Sequence, residues 1–154
     1  MYFLLLSVHS IFRWMIMAML IYTLSSAYIG WKKKSIFSSR HILLINYLSF
    51  IACTQVLVGL LLYLHSPIPT SFRLGWPDSI HNRSLRFFAI EHSSSMLIAL
   101  AFLITGKFWI RPPLSNLQKF KIMGVYCAVA ILIIILATPW QFSPFVSRPH
   151  FRIP

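Results

Sequence analysis

The stretch Arg86-Phe-Phe-Ala-Ile-Glu-His-Ser-Ser-Ser-Met-Leu-Ile-Ala-Leu-Ala-Phe-Leu-Ile-Thr105 decides how this chain is read. A helix needs roughly 20 predominantly apolar residues to cross the hydrocarbon core of a bilayer, and this stretch closes on such a run. At its mouth stands Glu91, one of only two acidic residues in the chain, beside His92. Ionisable side chains at membrane depth are costly unless paired or liganded, which makes them candidates for function. A second stretch answers it near the N-terminus: His9-Ser-Ile-Phe-Arg-Trp14.

Working outward, three more apolar runs of similar length appear. The expected helices are about 2–28, 42–64, 87–105 and 122–138, ended by Gly30, Ser66-Pro67, Gly106 and Pro139 respectively. Backbone groups in lipid must be satisfied within the segment, so such runs are helices. The first is read as a retained helix, because no basic segment precedes it and no small-residue cleavage site closes it. The expected architecture is an all-α, single-domain, four-helix up-down transmembrane bundle over residues 1–154.

Composition agrees. The 154 residues are 58% hydrophobic and 10% charged, far fewer charges than a soluble domain carries. The net charge of +12 is scattered over short loops, so it reads as topology and contact with anionic lipid, with no nucleic-acid partner. Lys32, Lys33, Lys34 and Arg40 fall in the first connection, and Lys107, Arg111, Lys119 and Lys121 in the third. The other side carries arginines but no lysine. The positive-inside rule then puts the lysine-rich loops in the cytoplasm and both termini outside a bacterial inner membrane. Cys53 and Cys127 lie inside two spans and imply neither a disulfide framework nor a metal site.

Depth singles out the chemistry. His9 and His92 each lie one to two turns into a helix that starts on the outer side, at 1.5 Å per residue. In an up-down bundle the first and third helices are diagonal, facing each other across the core. That places an imidazole on each face of one haem b, with His9 and His92 as its iron ligands. Arg13, one turn from His9, and Arg86, near the outer interface, are the expected partners of its two propionates. Arg13 and Glu91 are also expected to form a structural ion pair within the bundle. Beside these, His65 is an alternative ligand at the outer end of the second helix. Gln55 is read as a cross-bundle hydrogen bonder, and Gly59 as a point of close helix approach. There is no nucleophile with an adjacent base, no phosphate loop and no carboxylate pair, so nothing points to hydrolysis.

Four motifs together, His9-Ser10 with Arg13-Trp14, Gln55 to Tyr63, Arg86 to His92, and Pro139-Trp140, resemble small four-helix membrane proteins of Bacteroidetes labelled cytochrome b. The resemblance covers essentially the whole chain and implies a haem-binding subunit. It departs at Thr54, where that family often has a histidine before the glutamine. The expected function is electron transfer between the quinone pool, with quinone a possible second ligand, and a partner complex. The alternative is a haem-free structural or assembly subunit. In either case the 66–86 loop and the C-terminal tail are the expected docking surfaces for other membrane subunits.

Overall fold

The computed structural model describes residues 2–140 and residue 146. Four helices in it are long and apolar enough to cross a membrane: α1 (Tyr2–Lys32), α2 (Ser39–His65), α4 (Arg83–Trp109) and α5 (Asn116–Ala137). A short helix, α3 (Pro67–Leu74), lies between the second and third of them. The spans make this a multi-pass membrane protein. Their outward faces are as apolar as their inward ones, with Phe50, Phe3 and Leu136 among the exposed large side chains. A helix apolar all round is one whose outside meets lipid.

The spans pack as a ring in which α1 touches α2 and α5, and α4 touches α2 and α5. Consequently α1 and α4 lie on the diagonal. Consecutive spans run antiparallel, as the contacts show: His9 near the start of α1 meets Gln55 near the end of α2, and His92 meets Ala137 at the end of α5. Two clusters hold the bundle. Leu20, Leu48, Ala52, Leu103 and Ala130 fill its middle. Ala27, Phe37, Ile45, Phe120 and Met123 close the lysine-rich end. Hydrophobic burial does not drive association in lipid, so close contact and satisfied polar groups carry the packing. The buried hydroxyls of Thr23 and Ser49 accordingly donate to carbonyls one turn back, Met19 O and Ile45 O.

Two glycines expected to end helices do something else. Gly30 and Gly106 sit inside α1 and α4, which run on to Lys32 and Trp109. The Phe120 ring lies on the bare backbone of Gly30, and the Tyr126 ring on that of Gly106. A Cβ at either position would occupy space the ring already fills. Gly30→Ala and Gly106→Ala are therefore expected to lower stability by about 1–3 kcal/mol each through overpacking. Earlier thermal unfolding in detergent is the readout.

Capping sets the other ends. Ser38 opens α2 with His41 in the third helical position, whose Nδ1 accepts from Ser38 N at 3.1 Å. Ser115 and Gln118 form the same reciprocal box at the start of α5, which begins at Asn116 rather than near 122. Ser66 closes α2 through its N–H to Leu62 O and opens α3 by accepting from Ile68 N. The expected 66–86 loop is thus largely helical, with α3 followed by a 3-10 turn at Asp78–His81. Of the C-terminal tail expected to dock a partner, residues 138–140 and 146 are described and the rest lies outside the described residues.

Candidate functional site

The site is built where α4 departs from regular α-helix. After Asn82 caps its start through Leu85 N, the chain makes a π turn over Phe87–Glu91. The N–H of His92 bonds Phe87 O five residues back, and Ser93 Oγ donates to Phe88 O at the same spacing. A π turn holds one extra residue, so every side chain beyond it is rotated relative to those before it. The turn has two consequences, one for Glu91 and one for His92.

The first is that residues five apart share a face. Arg86 Nε donates to Glu91 Oε1 at 2.7 Å, and Arg86 Nη1 donates to Ile80 O at 3.0 Å. The expected Arg13–Glu91 ion pair is therefore not formed, since Glu91 is held by Arg86. Nor does Arg86 line the cavity described below, so it is not placed as a propionate partner. The pair is about two-fifths exposed on both sides and belongs to the rim. Glu91→Gln should change stability by no more than about 1 kcal/mol, as for other exposed pairs, measured by thermal unfolding.

The second consequence is the aim of His92. Its Nδ1 lies 2.7 Å from Ala137 O, one of the last carbonyls of α5, which have no partner within that helix. The Nδ1 proton is fixed by that bond, so the neutral ring keeps its lone pair on Nε2. Opposite it stands His9, with ring centres 6.5 Å apart and planes at 75°. Gln55 Nε2 donates to His9 O at 3.0 Å and lies 3.4 Å from His9 Nε2. Gly59, one turn further along α2, leaves the room the ring needs: a Cβ there would come to 3.2 Å from His9 Cε1. His9 Nδ1 and Gln55 Oε1 are both buried without a hydrogen-bond partner among the described residues. Orphaned buried polar atoms are uncommon and call for an explanation.

Both histidines line a cavity of about 560 Å³. It reaches down to Ile16 and Leu103 near the middle of the bundle and up to Tyr2 and Pro69 at the end covered by α3. Counted along α1, His9 stands about 10 Å from either extreme. The hydroxyls of Ser93, Ser94 and Thr138 in its wall donate to carbonyls of their own helix, and the two imidazoles and Gln55 lie together in the same wall. Arg13 is also in the wall. Its guanidinium lies 5.5 Å from the Trp14 ring and 5.9 Å from the Trp140 ring, a cation against a pair of indoles.

His65 and His41 are engaged elsewhere. His65 Nδ1 donates to Leu61 O of its own helix at 2.8 Å and does not line the cavity. His41 serves the α2 cap and packs against Phe37 and Phe120. Thr54 donates to Phe50 O and stays outside the cavity. Sequence reasoning missed the π turn, the Ala137 carbonyl and the role of Gly59 toward His9. Only the last had a signal, since Gly59 follows Gln55 by one turn.

Comparisons with protein-family models, with curated proteins and with solved structures find no match for this chain.

Proposed function

We propose that the chain holds one haem b between His9 and His92 and serves as an electron-transfer subunit of a bacterial inner membrane. The observation that carries the reading is the spacing of the two rings. Two imidazoles on opposite faces of one metal, at about 2 Å per bond, have ring centres roughly 6–6.5 Å apart. The observed separation is 6.5 Å.

The donor set fits a macrocycle-bound iron better than a bare ion. Among the described residues no cluster of three or more His, Cys, Asp or Glu side chains is placed to hold a metal. A bare zinc site would need four ligands, whereas an iron already held by four porphyrin nitrogens needs two. His92 has the arrangement a ligand histidine needs, one nitrogen tied to a carbonyl and the other toward the cavity. His9 brings the second imidazole to the same cavity wall. Arg13 is the guanidinium in reach for a carboxylate at the cavity wall. The volume lies within the range of about 300–1,000 Å³ usual for cofactor and ligand sites.

Bound there, a haem supplies a one-electron couple at the end of the bundle away from the lysines. With those lysines in the cytoplasm, the site faces the periplasm, and electrons pass between the quinone pool and a partner complex. A haem-free structural subunit is the second reading. Its support is the exposure of Leu74 and Trp76, on the connection that would dock a neighbour. A reduced-minus-oxidised visible spectrum of the purified protein separates the two. The first reading expects a b-type α-band at about one haem per chain. Protein from haem-replete cells without such a band would leave only the second.

A further inference from the structure

The opposite end of the bundle carries eight cationic side chains and neither acidic residue of the chain: Asp78 and Glu91 both lie at the haem end. Two of the cations, from different helices, converge on one indole. Lys32 Nζ lies 5.2 Å from the Trp31 ring and 5.8 Å from the Tyr28 ring. Lys121 Nζ, from α5, lies 5.8 Å from the same Trp31 ring. Both ammonium groups lie within 6 Å of one indole, so a single anion beside that ring is attracted by both.

What lies beneath identifies the anion. From Lys32, the stripe Tyr28, Ser25 and Ile21 runs down the exposed face of α1 at helical spacing. From Lys121, the stripe Val125, Ala128 and Leu132 runs down the exposed face of α5. Each stripe extends about 16 Å, close to the depth of one leaflet of the hydrocarbon core. Between them the helices are in close contact, through Gly30 against Phe120 and Gly124 against Ala27. A seam between two largely apolar stripes, with two lysines and a tryptophan at its head, matches the order of groups in a phospholipid.

The geometry points to a specific site for one anionic phospholipid on the α1–α5 seam. Its phosphate lies between Lys32 and Lys121 beside Trp31, and its acyl chains lie along the two stripes. Basic positions between transmembrane helices are suited to such head groups, and Trp anchors at the same level. The site is independent of the haem reading.

Native mass spectrometry of the purified protein in neutral detergent, titrated with phosphatidylglycerol, tests it. Wild-type protein should retain one phosphatidylglycerol in preference to phosphatidylcholine. K32Q/K121Q should lose roughly tenfold or more in apparent affinity. The arginine pair K32R/K121R should keep binding. R40Q/R111Q, which removes the same charge elsewhere on this end, should also keep it. Equal loss in R40Q/R111Q would reduce the effect to net charge and overturn the site. So would equal retention of phosphatidylcholine, or full displacement of the lipid by inorganic phosphate at matched concentration, which would mark a phosphate site without chains.

Discussion

His92→Ala protein, purified from haem-replete cells, is expected to show no b-type α-band, while remaining helical and monodisperse in detergent. His9→Ala should behave the same way. Position decides this rather than histidine content, because among the described histidines only these two line the cavity. His65 stands near the same end of α2 but spends its Nδ1 proton on Leu61 O, so His65→Ala should leave the band intact. The fold should survive His92→Ala at a modest cost. The lost bond to Ala137 O is worth about 0.5–1.5 kcal/mol net, and the freed carbonyl lies at a helix end. The visible spectrum and circular dichroism of the three variants check both halves. A normal α-band in His92→Ala would remove this histidine from the site.

Gly59→Leu is expected to be nearly as damaging to the haem site without touching either ligand. Even a Cβ at this position meets His9 Cε1 at 3.2 Å and Nδ1 at 3.7 Å. A leucine puts three more carbons where the imidazole stands, so the ring must turn away from the cavity. The turn also disturbs Gln55, which is anchored on His9 O at 3.0 Å and lies against the ring at 3.4 Å. The expected result is loss of the six-coordinate low-spin spectrum, either as a high-spin five-coordinate form or as haem-free protein. The cost in stability should stay near the usual 1–3 kcal/mol of an overpacked site. Gly59→Ala should fall between this and wild type, because the ring has only a few tenths of an ångström to give. The ferric absorption spectrum and the haem-to-protein ratio of both variants check the ordering.

These two variants also show which parts of the molecule sequence reasoning reaches. The spans are legible because run length and apolarity are properties of single segments, and bilayer thickness converts them directly into helices. The diagonal relation of α1 and α4 follows from chain order and short connections. Two segment-level signals went unused: Ser115 with Gln118, and Asn82 before Leu85, mark helix starts several residues upstream of the apolar runs.

The site itself is harder to read. Arg86 and Glu91 are five apart, a spacing that meets on one face only within a π turn, and nothing in Phe-Phe-Ala-Ile announces one. Without that turn, Glu91 looks like the natural partner of the intramembrane Arg13, which instead packs against two tryptophans. Gly30 and Gly106 look like helix stops because glycine ends helices in water. Their role as seats for the Phe120 and Tyr126 rings depends on which face turns toward α5. Contacts between segments decide these points, and apolarity on every face hides them.

Electron paramagnetic resonance of the oxidised, purified wild-type protein tests most directly whether His9 and His92 hold one haem. Each axial imidazole donates π density into the iron orbital perpendicular to its own plane. Parallel rings therefore split the two iron π orbitals, whereas perpendicular rings leave them nearly equal in energy. With the rings at 75°, the expected spectrum is a single, highly anisotropic low-spin ferric signal that disappears in both His9→Ala and His92→Ala. Wild-type protein with no low-spin ferric signal, or one that keeps the signal when either histidine is removed, would contradict the account.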